Sequence, residues 1–108
     1  MGRVINIANK LDREPRFLIL DDTHKFKINC SKNTVMKVMA LESGSGDDLR
    51  YMDEALTLLV GKEAVKQIED MDLPFDSWMT IFKAAIAVAT NKNFEEVESD
   101  FRGEEEST

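Results

Sequence analysis

Residues 77–90 read SWMTIFKAAIAVAT, and they carry the strongest helical signal in the 108-residue chain. Ten of these fourteen positions are apolar, so the predicted helix is apolar nearly all round. Such a helix is wrapped by protein on most sides. A chain this small offers few other elements to cover it, so we expect part of its surface to meet another subunit or a partner. The alanines would let a second helix approach closely.

Pro74 separates this helix from the one before it. Proline disfavours helical geometry in the preceding residue, so we expect a stop over residues 72–75 and a new helix capped by Asp76. The segment before the stop, residues 62–71, is also a predicted helix. Its inward-facing residues are Ala64, Val65 and Ile68.

Two more helices are predicted upstream of Gly61, a residue that suits the left-handed conformation at a helix end. The nearer helix is capped by Asp47 or Asp48. The other is capped by Asn33 and ends in the flexible turn 43–46, which reads SGSG. Beyond residue 90, a capping box formed by Asn93 and Glu96 predicts a last short helix over 94–101.

Two strand-like runs, residues 17–20 and 25–29, flank a polar turn at 21–24. The second run alternates strictly and places Phe26 and Ile28 on one face. This pattern predicts a β-hairpin, whose apolar face must pack on the helices because an isolated hairpin is only marginally stable. The predicted fold is therefore α+β and mainly α, with an N-terminal β-hairpin packed on a bundle of four to five helices.

The predicted organisation is one domain with an appendage at each end. Residues 1–16 form an N-terminal arm with a short strand or helical turn, residues 17–101 form the single hairpin-plus-helical domain, and residues 102–108 form an acidic flexible tail. The net charge of −7 is concentrated at the C-terminus, because residues 95–108 carry seven acids against Arg102 alone. The first 94 residues carry 14 acids and 13 bases, which is nearly neutral.

This charge distribution argues against nucleic acid as a partner, because such binding draws most of its affinity from cations that contact phosphates. The longest nearly apolar stretch, 81–89, falls short of the roughly 20 residues that cross a bilayer, so no membrane association is expected. The first residues lack the apolar centre of a signal peptide. A single cysteine excludes an internal disulfide and fits a reducing compartment. We expect a cytosolic protein.

His24 and Cys30 are the candidates for chemistry, and both are weak. Structural zinc requires four Cys or His ligands or close substitutes, and the chain has only these two residues. A Cys–His nucleophile would also need an oxyanion hole and a residue that orients the base, and no pattern marks either. We therefore expect His24 to be a polar turn residue and Cys30 to be a small, buried hydrophobic residue. The chain is predicted not to be an enzyme, with no catalytic, cofactor-binding or metal-binding residues and no small-molecule substrate.

Methionines and aromatic residues on the predicted apolar faces are the remaining candidates for a site. Methionine-rich surfaces adapt to varied partners, but a core position is the more frequent role for such residues. We expect the core role first and an interface role second, and we name four candidates for partner binding. They are Met36, Met39, Trp78 and Phe82.

The order of elements resembles the small tail assembly chaperones of long-tailed bacteriophages and of prophages in Gram-positive hosts. The similarity covers about residues 4–101 and consists of a succession of short stretches rather than one specific motif. These stretches are Ile5-Asn6-Ile7-Ala8, Phe26-Lys27-Ile28-Asn29, Asn33-Thr34-Val35, Leu58-Leu59-Val60-Gly61-Lys62-Glu63-Ala64, Phe75-Asp76-Ser77-Trp78-Met79-Thr80-Ile81-Phe82 and Phe94-Glu95-Glu96-Val97-Glu98.

This resemblance implies a non-enzymatic protein that acts in the cytoplasm of the bacterial host cell and is absent from the mature virion. Its partner would be the tape measure protein, which it keeps soluble, and possible further partners are the tail-tube protein and other copies of the chain as a homo-oligomer. Many such chaperones are made in two forms, the longer one by a ribosomal frameshift. The alternative is a small acidic phage or mobile-element regulator or inhibitor of a host protein, whose acidic C-terminus could imitate nucleic acid.

Overall fold

A computed structural model describes residues 2–46, 48–93 and 95. In the N-terminal segment, residues 2–15 are all exposed and contain one 3₁₀ turn, Ala8–Lys10. Two strands follow, β1 (Arg16–Asp21) and β2 (His24–Ile28), and then four helices. These are α1 (Lys32–Ser45), α2 (Tyr51–Val60), α3 (Lys62–Asp70) and α4 (Phe75–Thr90). The predicted α+β, mainly helical fold is confirmed.

The β-hairpin forms as the alternating sequence predicts. Strands β1 and β2 are antiparallel, with Leu18 opposite Phe26 and both side chains buried. The turn is closed by Asp21, whose carboxylate accepts hydrogen bonds from the backbone N–H groups of Thr23 (2.9 Å) and His24 (2.8 Å). The inner face of the hairpin packs on α2 and α4, which supplies the support that two isolated strands lack.

Helix α2 lies at the centre and contacts α1, α3, α4 and β2. Its Ala55, Leu56 and Leu59 side chains are buried in the core. The backbone N–H of Asn29, at the end of β2, donates a hydrogen bond to the carbonyl of Leu59 at 2.7 Å. Because the last carbonyls of a helix have no partner within it, this bond both satisfies α2 and fixes the hairpin to it.

Helix α4 is covered by the two strands on one side and by α2 on another. As a result, the ten apolar side chains that the sequence places between residues 78 and 89 are all buried or partly buried. The Nη1 atom of Arg16 donates hydrogen bonds to the carbonyls of Val88 (3.0 Å) and Ala89 (3.1 Å). Asn91 then ends the helix in the left-handed conformation, with φ of 56°.

Three predicted helix starts are wrong by two or three residues. Ser31, not Asn33, caps α1, because its hydroxyl accepts the backbone N–H of Thr34 at 3.3 Å. The carboxylate of Asp48 accepts the N–H of Arg50 at 2.9 Å, which closes a turn before α2 instead of capping it. Asp47, the other predicted cap, lies outside the described residues.

Helix α4 also starts before its predicted cap. It begins at Phe75, directly after Pro74, whose carbonyl accepts the N–H of Trp78 at 3.0 Å. Asp76 therefore lies in the first turn, where its charge favours the helix dipole but its side chain does not cap. Proline is well suited to this boundary because its φ is already helical and it has no N–H group to satisfy.

The predicted flexible turn at 43–46 is also wrong, because α1 continues through Ser45 and ends at Gly46. The hydroxyl of Ser45 donates a hydrogen bond to the carbonyl of Leu41. Gly44 lies on an open part of the surface, since a Cβ there would meet no atom within 4 Å. Glycine and serine cost only about 1 kcal/mol or less each in a helix, so their presence does not end α1.

Gly61 separates α2 from α3 with φ of 91° and ψ of 160°. The prediction that a helix ends at this glycine with positive φ is confirmed, but its ψ is extended and not left-handed helical. The inward-facing positions of α3 are also as predicted, since Ala64 and Ile68 are buried and Val65 is partly buried. Apart from Glu95, the predicted last helix and the tail lie outside the described residues.

None of the described helices combines the length and the apolar character needed to cross a bilayer.

Candidate partner-binding site

His24 begins β2, and Cys30 lies two residues beyond the end of that strand. A strand of this length spans about 16 Å, so the two side chains do not form a Cys–His pair. The Nδ1 atom of His24 lies 2.8 Å from Oδ1 of Asp21, as befits a turn residue. This hydrogen bond, followed by that from the Thr23 backbone, lowers the pKa of Asp21 to about 2. Cys30 is partly buried against the core.

Within the ranges 2–46 and 48–93, no group of three or more Cys, His, Asp or Glu side chains is placed to hold a metal ion. The carboxylates of Asp21 and Asp48 instead close turns. The remaining candidate surfaces are clefts lined in large part by apolar side chains.

An apolar cleft of about 180 Å³, here named the α1–α4 cleft, opens between α1 and the second half of α4. Its volume exceeds the roughly 150 Å³ that holds a benzene-sized group. It is lined by Val35, Val38, Met39, Glu42, Tyr51, Leu59, Phe82, Ile86, Ala89, Thr90 and Lys92. The polar residues among them, Glu42, Thr90 and Lys92, lie near the C-terminal ends of α1 and α4. The other lining residues are apolar or aromatic.

The floor of the α1–α4 cleft is the protein core itself. Phe82 is buried there, with its ring stacked on Trp78 at 5.8 Å between centroids. Tyr51 approaches the same ring edge-on at 6.3 Å. Aromatic pairs prefer stacked and edge-on arrangements, so this group of three rings fixes the floor. A ligand in the cleft would rest on a rigid surface.

The walls of the cleft are less enclosed than its floor. Met39 projects from α1 and is 58% exposed, while Ile86 on α4 is partly buried. Charged side chains, Glu42 and Lys92, also line the cleft. A buried floor, an apolar wall that can move and flanking charges are the features that an amphipathic helix or peptide requires of a groove.

The four residues predicted to bind a partner lie in different environments in the structure. Phe82 forms the floor of the cleft and Met39 forms its wall. Met36 is 55% exposed one turn before Met39, but it does not line the cleft. Trp78 is partly buried and stacks on Phe82, but it lines a second cleft and not this one.

The prediction that the methionines belong to the core is wrong for Met36 and Met39. Helix α1 packs mainly against α2, so only its α2-facing side is buried, including Thr34 and Val38. Met52, by contrast, is buried in α2 as predicted, and Met79 is partly buried. Exposed methionines beside an apolar cleft favour a role in an interface, which the sequence favoured less than a role in the core.

The second cleft, here named the α3–α4 cleft, was not predicted. It lies where the loop before α2 meets the loop between α3 and α4, and its apolar residues include Leu49, Leu73, Phe75 and Trp78. The first three of these are exposed. The sequence does contain a signal for it, because Leu73 and Phe75 flank Pro74 outside any predicted helix and therefore have no core face to join.

Comparison of the chain with protein-family models, with curated proteins and with solved structures gave no match. The functional proposal therefore rests on the α1–α4 cleft, on the charge pattern and on the sequence resemblance.

Proposed function

We propose that this protein is a non-enzymatic phage tail assembly chaperone that binds the tape measure protein, keeps it soluble and helps the tail tube assemble. The observation that carries the proposal is the α1–α4 cleft. An apolar, partly open groove with an exposed methionine in its wall fits the apolar face of a client helix. The resemblance of residues 4–101 to such chaperones supports the same partner.

The size of the cleft limits what it takes from the client. A volume of about 180 Å³ accommodates one or two apolar side chains, so a client helix would insert anchors from one turn at a time. Binding of this kind recognises a pattern of side chains and not a single sequence, which suits a long client that repeats apolar positions. Met39 has the flexible, polarisable side chain that adapts to such variety.

The net charge of −7 supports the same role, because excess charge keeps a loaded complex soluble. The proposal places the protein in the cytoplasm of an infected or lysogenic bacterial cell during assembly and outside the finished virion. It includes the tail-tube protein as a further partner. It requires no cofactor and no small-molecule substrate.

The test is co-expression with the longest helical protein encoded nearby, followed by pull-down and measurement of the soluble fraction. Full burial of a methionine contributes roughly 1.5–3 kcal/mol, so we expect Met39→Glu to weaken client binding at least tenfold. The soluble fraction of the client should fall with it.

Matched variants separate this effect from a general one. Met39→Leu keeps the wall apolar and should retain binding, while Met36→Glu adds the same charge one turn away and should have a much smaller effect. If the client is no more soluble with the wild-type protein than without it, the chaperone role is wrong. If Met36→Glu and Met39→Glu are equally harmful, the α1–α4 cleft is not the binding site.

A further inference from the structure

The N-terminal segment of residues 2–11, here named the arm tip, has an exposed surface of unusual composition. Val4 is 94% exposed and Ile5 is 73% exposed, and Ile7 and Leu11 are also exposed. Its charged side chains, Arg3 and Lys10, are both cationic, and the first acid of the chain is Asp12. The arm tip is therefore an apolar, basic peptide joined to a folded domain.

The α3–α4 cleft has the opposite charge. Asp53 and Glu69 line it beside the exposed apolar residues Leu73 and Phe75. Its third carboxylate, Asp48, bonds at 2.7 Å to Arg50, which also lines the cleft, so three acids stand against one base. The surrounding segment, residues 69–76, carries four acids and no base. A ligand for this surface needs apolar side chains for the cleft and cations for its edge.

We infer that the arm tip of one copy binds the α3–α4 cleft of a second copy. The two surfaces are complementary in charge, and each has apolar side chains that the folded chain leaves uncovered. Association would remove the aliphatic side chains of the arm tip and the ring of Phe75 from water, which is the main favourable term in association. Arg3 and Lys10 would then lie near Asp53 and Glu69.

The position of the arm tip in the structure favours a second copy over the chain's own cleft. Asp12 bonds to Arg16 at 3.2 Å, and Arg16 bonds to the carbonyls of Val88 and Ala89 at the end of α4. The α3–α4 cleft lies at the start of the same helix, about 24 Å away for 16 residues. A fully extended arm tip could span that distance, but in the structure it leaves its own cleft uncovered, since the apolar side chains of both surfaces are exposed.

This contact is separate from the α1–α4 cleft, so it does not depend on the proposed chaperone function. Met39→Glu should leave self-association unchanged, and variants of the arm tip should leave the binding of a client monomer to the α1–α4 cleft unchanged. Failure of one proposal is therefore distinguishable from failure of the other.

The experiment measures the mass of the full chain by sedimentation velocity over a range of concentrations and at low and high salt. We expect the wild type to self-associate and to dissociate as salt rises, since the contact is partly ionic. Two double variants should each weaken association at least tenfold. One is Val4→Ser with Ile5→Ser in the arm tip, and the other is Leu73→Ser with Phe75→Ser in the cleft.

Mixing these two variants gives the decisive measurement. One retains a working cleft and the other a working arm tip, so an equimolar mixture should form a heterodimer that neither variant forms alone. The matched control is Ile19→Ser, because Ile19 and Phe75 are each 65% exposed and Ile19 belongs to neither surface. Circular dichroism confirms that each variant remains folded.

Three results would overturn the inference. The first is a wild type that stays monomeric at all concentrations, as it would if the arm tip folded onto its own cleft. The second is an assembly whose mass survives deletion of residues 2–11. The third is a mixture of the two double variants that remains monomeric while both are folded.

Discussion

Arg16 connects the first strand to the last helix, and replacing it with methionine tests how much that connection stabilises the fold. Its Nη1 atom donates to the carbonyls of Val88 and Ala89 at 3.0 and 3.1 Å. The side chain is only 22% exposed, so these two bonds are partly shielded from water. Methionine keeps an unbranched apolar side chain and removes both donors.

The expected magnitude follows from these two bonds. A hydrogen bond that involves a charged group contributes roughly 1.5–3 kcal/mol, and partial exposure argues for the lower end or less. We therefore expect Arg16→Met to lower the free energy of unfolding by about 2 kcal/mol. In a domain of this size that corresponds to a fall in Tm of roughly 8 °C.

The assay is urea unfolding followed by circular dichroism, with Asp12→Asn and Arg16→Lys as comparisons. Asp12→Asn removes the exposed ion pair but keeps both carbonyl bonds, so its effect should be much smaller. Lysine offers a point charge without the planar fork of arginine and should fall between wild type and Arg16→Met. A stability for Arg16→Met within about 0.5 kcal/mol of wild type would refute the assignment.

Four further predictions use other features of the chain. Gly61→Ala should lower the free energy of unfolding by roughly 1–3 kcal/mol, because φ of 91° with extended ψ is available almost only to glycine. Gly44→Ala should raise it by roughly 0.5 kcal/mol, because Gly44 is helical and a Cβ there meets open space; thermal unfolding measures both. The lowered pKa of Asp21, due first to His24, stabilises the fold at pH values above the ordinary 3.8, and this contribution disappears as pH falls through about 2. The difference in unfolding free energy between wild type and Asp21→Asn should therefore shrink from pH 5 to pH 2. Finally, deletion of residues 102–108 should leave client solubility unchanged, whereas loss of activity would favour the acidic inhibitor.

The hairpin was predictable because its sequence carries the information locally. Strict alternation around Phe26 and Ile28 places both on one face whatever the rest of the chain does. The polar turn is equally local, since Asp21 bonds to backbone groups two and three residues away. What the sequence does not contain is the surface that the hairpin covers, which is set by contacts with α4 far along the chain.

The helix boundaries were less predictable because neighbouring residues compete for the same role. Ser31 and Asn33 are both good caps, and the choice between them depends on where the chain leaves β2. Asp48 can cap a helix or close a turn, and it closes a turn because its carboxylate also binds the guanidinium of Arg50 at 2.7 Å. At Gly44 the chain stays helical, because the cost of one glycine in a helix, about 1 kcal/mol, is too small to end it.

The candidate site was only half predictable for a related reason. Apolar periodicity shows that Met36 and Met39 belong to one side of α1, but it does not show whether another element covers that side. Phe82 was correctly ranked as core first. Its neighbour Trp78 lies four residues away on the same helix, whereas Tyr51 joins it only through the packing of α2 on α4. Exposed residues such as Phe75 can be recognised in the sequence only as apolar residues that fall outside the helical periodicity of the predicted elements.

The pairing of β1 with α4 also bears on how the protein is made on the ribosome. Helix α4, which covers the inner face of the hairpin together with α2, is synthesised about fifty residues after the hairpin, and at 5–20 residues per second this takes roughly 3–10 s. During that interval Leu18 and Phe26 lack the cover of α4, and both are buried in the complete fold. Arg16 finds its two carbonyl acceptors only when α4 is nearly complete. Synonymous codons that slow translation before residue 75 should therefore lengthen the exposure of the hairpin and lower the soluble yield.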